Sequence, residues 1–187
     1  MPPGRLPTVS SVTDITVVVV CAQCRVFWTI DADRPTCAVP DHHHQQHEMH
    51  RHRTAVALPD GTELTAVSFD ETDPYRRDRV PDFGLYLDGV WQPPWPYERV
   101  AWPDFGGPDD PARLVVALRN LLERARNGQQ VEIGCLGGHG RTGTALACLA
   151  VLSGHPATEA VSWVRAQYCP KAVETDEQAT FVAMLRV

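Results

Sequence analysis

Between Val131 and Gly143 an apolar run passes into Gly134-Cys135-Leu136-Gly137-Gly138-His139-Gly140-Arg141-Thr142-Gly143. A thiol, a guanidinium and a hydroxyl thus fall within one glycine-rich loop. Glycines let successive backbone N–H groups turn toward one point, and a helix starting there adds its positive end, so such a loop is a phosphate cradle. The N–H groups of Leu136, Gly137, Gly138, His139 and Gly140 would hold the anion. The planar fork of Arg141 would clamp two of its oxygens. Cys135 at the mouth would attack as a thiolate, with a pKa expected below the free value of roughly 8.5. Thr142 would hydrogen-bond the sulfur and help it leave. The alternatives are a buried cysteine in an ordinary turn and a nucleotide-binding P-loop. The latter needs Gly-Lys-Ser/Thr, and this loop has no lysine.

The elements that position these residues are a strand over Gln130 to Gly134 and a helix from Arg141 to about Ser153, stopped by Gly154. Upstream, Asp110-Pro111 opens a helix that runs to about Asn127 with Gly128 behind it. Before that helix lies Trp102-Pro103-Asp104-Phe105-Gly106-Gly107. Downstream, Thr175-Asp176-Glu177-Gln178 reads as a capping box opening the last helix. Pro156 to Tyr168 reads as a helix between them. Cys148 and Cys169 read as small buried hydrophobes, or as disulfide partners that shield Cys135 from over-oxidation.

Cys135 to Gly143 resembles the C-x5-R-(S/T)-G signature of the cysteine-dependent protein tyrosine and dual-specificity phosphatases. Trp102-Pro103-Asp104 is similar to their mobile "WPD" loop and stands at the matching place in the chain. That family usually has His before the cysteine; this chain has Gly134. The resemblance covers residues 55 to 187. It implies an α/β domain with a mixed, largely parallel sheet of four or five strands, flanked by helices on both faces. It implies attack by Cys135, proton donation to the leaving oxygen by Asp104, and hydrolysis of the phosphocysteine with Asp104 as base, in a mechanism that calls for no metal cofactor. Gln178 is then a candidate to position the hydrolytic water. The substrate implied is a phosphorylated protein or peptide, phosphotyrosine first and dual specificity second. A phosphoinositide is the alternative, where His139 stands at a position that such enzymes give to lysine and Leu136 is not basic. A catalytically inactive phosphate-binding module is the reading from another class.

The 187-residue chain has a formal net charge of −6, so it lacks the basic field that nucleic-acid binding requires. No stretch reaches the ~20 apolar residues of a membrane helix, and Asp14 interrupts the N-terminal region before Ile15 to Ala22, so neither a signal nor a membrane anchor is read. A reduced, cytoplasmic protein is expected despite six cysteines.

Met1 to Ser11 is expected to be a loose tail. Ile15 to Val20 and Arg25 to Ile30 are rich in β-branched and aromatic residues and read as a hairpin. Cys21, Cys24 and Cys37, completed by a histidine such as His42, resemble a Cys3His structural zinc site. His42 to Arg53 holds six of the eight histidines and reads as a polar linker, so residues 1–54 form a small Cys/His-rich module and 55–187 the phosphatase domain. Within the latter, Thr54 to Leu58, Glu63 to Phe69, Phe83 to Leu87 and Arg99 to Trp102 read as strands. Asp70 to Pro81 and Trp91 to Glu98 read as surface loops.

Overall fold

The computed structural model describes residues 18–20, 27–29, 53–69 and 75–186. The chain forms two compact units, Met1–Glu48 and Met49–Val187. In the first, β1 (Val18–Val20) and β2 (Phe27–Thr29) pair antiparallel, with Val19 opposite Trp28, as the hairpin pattern implies. Cys21, Cys24, Cys37 and His42 lie outside the described residues. Among the described residues no group of three metal-binding side chains gathers, and no helix is long and apolar enough to cross a membrane.

The second unit is built on a five-stranded sheet in the order β3-β4-β7-β5-β6, from β3 (Arg53–Ala57), β4 (Glu63–Ser68), β5 (Phe83–Tyr86), β6 (Tyr97–Arg99) and β7 (Val131–Cys135). Only the β3–β4 pair is antiparallel; it is closed by a turn at Gly61, whose φ of +84° glycine adopts without penalty. The mixed, mostly parallel sheet is the one expected. Its central strand, β7, ends on Cys135, which places the thiol at the carboxyl edge where open α/β sheets bind ligands.

Strand alternation sorts the two faces. Ala66, Leu85 and Ile133 point into the main core together with residues from α1 (Pro111–Arg126), α2 (Gly140–Leu152), α3 (Ala160–Gln167) and α4 (Asp176–Met184). Helix α1 turns Leu114, Ala117, Leu118, Leu121 and Leu122 inward at helical spacing, and α2 is buried along its whole length. Asp110 caps α1 by accepting from Arg113 N at 3.0 Å. Cys148 and Cys169 are buried, unbridged core residues.

The opposite face corrects the expectation of helices on both sides. Among the described residues it is covered by an aromatic cluster of Val67, Phe69, Tyr86, Trp91 and Trp95. Phe69 and Trp91 stack with centroids 3.7 Å apart. Trp91 to Glu98 is therefore no plain surface loop: its tryptophans replace a helix as the cover of the sheet. The charged stretch before it is also anchored. Arg77 makes a two-pronged contact with Glu132 at 2.8 and 2.9 Å. Tyr86 Oη donates to Glu132 at 2.7 Å and accepts from Trp95 Nε1 at 2.6 Å.

Among the described residues two boundaries shift by more than one residue. The strand expected at Arg99 to Trp102 is Tyr97–Arg99; Val100 N still donates to Tyr86 O at 3.0 Å, and beyond it Trp102 buries with Val100 in the main core. The helix expected from Pro156 begins at Ala160, after a turn in which Glu159 N donates to Pro156 O at 3.0 Å.

The Arg77–Glu132 pair is almost out of water, with side-chain exposures of 5% and 3%. Arg77→Ala leaves Glu132 buried and uncompensated, so it should cost about 3–5 kcal/mol. Urea unfolding measures this. Arg76→Ala, at an exposed neighbour, should stay within about 0.5 kcal/mol of the parent.

Candidate active site

The loop from Leu136 to His139 joins β7 to α2, and it is shaped by where its carbonyls go. Leu136 O accepts from Phe69 N at 2.9 Å. Gly138 O accepts from the Tyr168 hydroxyl at 2.7 Å. His139 O accepts from Gly143 N at 2.8 Å. With these carbonyls held outward, N–H groups remain for the inside of the loop, and those of Gly138 and Thr142 reach the Cys135 sulfur. Gly138 takes φ +74°, which a side chain would resist.

Cys135 Sγ also accepts from Thr142 Oγ1 at 3.1 Å. Burial is the largest influence on the thiol and pushes its pKa up. The Thr142 hydroxyl, the Arg141 guanidinium and the N–H groups of Thr142 and Gly138 pull the other way. As the loop stands, burial outweighs them, which corrects the expectation of a thiol acidified below its free value.

Arg141 is 6% exposed. Its Nη1 donates to Trp102 O at 3.2 Å and to Leu87 O at 3.4 Å, and its Nη2 lies 3.2 Å from Asp104 Oδ1. Its Nε has no hydrogen-bond partner among the described residues. A buried unmet donor costs ~1–3 kcal/mol, and a phosphate oxygen would meet it.

Asp104 rides on a tight loop. Trp102 is buried, and its Nε1 donates to Gly106 O at 3.1 Å, while Phe105 adopts φ +60°. Helix α4 holds the same loop: Gln178 Nε2 donates to Gly106 O at 3.2 Å. Thr175 Oγ1 accepts from Gln178 N at 3.2 Å, which is half of the expected capping box. The other half differs, because Gln178 Oε1 accepts from Glu174 N at 2.9 Å.

The fold thus gathers Cys135, Thr142, Arg141 and Asp104, with Gln178 behind the Asp104 loop. His139 is half-buried, with Nδ1 3.4 Å from Cys169 Sγ. Gly134 has a packing reason: a Cβ there would stand 2.5 Å from Val67 O and 2.6 Å from Val67 Cγ2, with Phe69 beyond. A histidine before the cysteine cannot fit under the aromatic cover of this sheet. One residue escaped the sequence reading. Glu174 lies against Gly140 at the start of α2, and its only sequence signal is its place beside the Thr175 cap.

Over residues 105–182 the chain matches the family described as PTP-SAK, a Swiss Army Knife protein DSP-PTPase phosphatase domain. It is 37% identical over 117 residues to uncharacterized protein MJECL20 of Methanocaldococcus jannaschii, spanning 56% of this chain and 76% of that relative. The chain belongs to the protein tyrosine and dual-specificity phosphatase family. A crystal structure of Tk-PTP in its active form is similar at 28% identity and TM-score 0.50, over 64% of this chain and 87% of that one. Kinase associated phosphatase shares the fold at 17% identity and TM-score 0.56, over 71% of this chain and 92% of the other.

Thr142→Ala removes one of the influences that lower the Cys135 pKa. Because only the thiolate is alkylated, the inflection of the iodoacetamide rate against pH should move to higher pH. Labelling near neutrality should slow accordingly.

Proposed function

We propose that the chain is a cysteine-dependent phosphatase of phosphate monoesters, acting on phosphotyrosine in proteins or peptides. What carries this reading is the linkage of four groups by two short contacts: Thr142 to the Cys135 sulfur at 3.1 Å, and Arg141 to Asp104 at 3.2 Å. Cys135 attacks phosphorus in line, the P–O bond to the leaving group breaks, and Asp104 gives that oxygen its proton. The N–H groups of residues 136 to 140 and the guanidinium hold the three equatorial oxygens. Water then attacks the thiophosphate while Asp104, now ionised, takes one of its protons; the P–S bond breaks and the thiolate returns to the Thr142 hydroxyl.

Support for an aryl ester over an inositol phosphate comes from the residues beside the reacting groups. Phe105, next to Asp104, is 51% exposed, and Leu136, next to Cys135, is 48% exposed. Two apolar side chains suit an aromatic ring better than a polyanion. His139 is turned toward Cys169 and is a poor substitute for a phosphate-binding lysine. The similar Tk-PTP is named as a tyrosine phosphatase, in keeping with this choice.

Hydrolysis of a phosphotyrosine peptide, a phosphoserine peptide and a phosphoinositide, measured side by side, tests the substrate. The first should be preferred. Cys135→Ser should lose turnover yet retain phosphate, and Arg141→Lys should lose both; ordinary turnover by Cys135→Ser would remove the covalent mechanism.

Asp104→Asn keeps the loop but carries no proton to donate. Its loss of kcat/KM should grow with the pKa of the leaving group across a series of aryl phosphates, reaching about 10²–10⁴-fold for poor leaving groups. Asp109→Asn should follow the parent throughout.

A further inference from the structure

The carbonyls that shape the loop are not all held in the same way. Leu136 O and His139 O accept from the backbone, from Phe69 N at 2.9 Å and Gly143 N at 2.8 Å. Gly138 O accepts from a side chain, the Tyr168 hydroxyl, at 2.7 Å. A backbone tie comes with the fold, whereas this one depends on a single oxygen atom. Phenylalanine would fill the same space without it.

Peptide geometry gives that oxygen a consequence. The Gly138–His139 bond is trans, so its C=O and its N–H point in opposite directions. Drawing the carbonyl outward to Tyr168 therefore turns the His139 N–H toward the inside of the loop. The preceding Gly138 N–H already faces the Cys135 sulfur, so this N–H takes the next place around the anion. Glycine at 138, at φ +74°, has no Cβ that would itself select this orientation.

Tyr168 is well held for the task. It closes α3, its N–H donating to Val164 O at 2.9 Å, and its ring packs against the main core. Cys169, the next residue, is buried, and its Sγ lies 3.4 Å from His139 Nδ1. Two successive residues at the end of α3 thus meet the two successive residues that share the peptide. Burial first, and then the nearby sulfurs of Cys135 and Cys169, push the Tyr168 pKa up, so the phenol keeps its proton and stays a donor wherever the thiolate acts.

We propose that Tyr168 is a positioning residue of the reaction: its hydroxyl fixes the Gly138–His139 peptide so that the His139 N–H meets a phosphoryl oxygen. The assignment rests on the phosphatase reading above. Tyr168 moves no proton and acts through the backbone alone. An N–H aimed in advance stabilises the charge on the equatorial oxygens in the transition state, and it does so to the same extent whatever group is leaving.

Tyr168→Phe removes the hydroxyl and keeps the ring. Losing one such donor outright typically costs about 10²–10³-fold, so a misaimed one should lower kcat/KM by about 10-fold or more. The factor should be the same for good and poor leaving groups across a series of aryl phosphates, unlike that of Asp104→Asn, and inhibition by tungstate should weaken in parallel. The urea midpoint should stay near the parent's. Amide resonances followed by nuclear magnetic resonance should show His139 shifting on addition of tungstate in the parent and shifting less in Tyr168→Phe. If the variant matches the parent in kcat/KM and tungstate inhibition, if its loss grows with leaving-group pKa, or if tungstate shifts the His139 amide equally in both, Tyr168 does not position the cradle. A parent that neither hydrolyses aryl phosphates nor has Cys135 protected from alkylation by tungstate would instead overturn the phosphatase reading itself.

Discussion

A guanidinium held almost out of water must be met by groups from the rest of the fold, and the partners of Arg141 come from separate segments. Leu87 O follows β5, while Trp102 O and Asp104 belong to the loop before α1. Arg141 itself opens α2, the helix buried along its whole length. One side chain thus ties the carboxyl edge of the sheet to the central helix and to the loop that carries the acid. The cost of burying its charge is bearable only because these acceptors are in place, so the site and the fold are stabilised by the same contacts.

The close approach of chain to chain around this arginine explains the glycines better than loop flexibility does. Gly140 lies beneath Glu174 and Gln178, Gly143 beneath Ala172 and Val173, and Gly134 beneath Val67. In each case a Cβ would collide with a neighbouring segment, at a point where φ itself is unexceptional. Only Gly138 within the loop uses the left-handed region. The missing histidine before the cysteine is therefore settled on the far face of the sheet, by the close approach of Val67 with Phe69 behind it, and not by the chemistry of the thiol.

Much of this was legible in the residues. Cys135 and Arg141 announced themselves because phosphate chemistry suits those types at that spacing, Asp104 through the resemblance of Trp102-Pro103-Asp104 to the WPD loop, and α1 and α2 because Asp110-Pro111, Gly128 and Gly154 punctuate them. The far face was not legible. A run such as Trp91-Gln92-Pro93-Pro94-Trp95-Pro96 has neither strand nor helix period, and only the hydrogen bonds of its indole groups to Asp88 and Tyr86 show that it is core. Glu132 carried a signal that is readable only with its partner. An acid in the central strand must be buried, and nothing near it in sequence identifies Arg77, 55 positions away. Glu174 was hidden by its neighbour, since the Thr175 cap and Gln178 formed a complete local explanation without it.

The charges at the loop mouth fix an order of events on the proposed mechanism. Asp104 neutralises part of Arg141 and, at the same time, opposes the charge of Glu174. A phosphate taking the guanidinium fork displaces Asp104 from it, because two anions cannot share the same Nη2 at contact distance without repulsion. Asp104 is 53% exposed, so its side chain can swing out of the ion pair while the loop beneath it stays held by Trp102 and Gln178. The entering phosphate therefore turns the Asp104 carboxyl group toward the leaving oxygen, and the same group is in place when water follows.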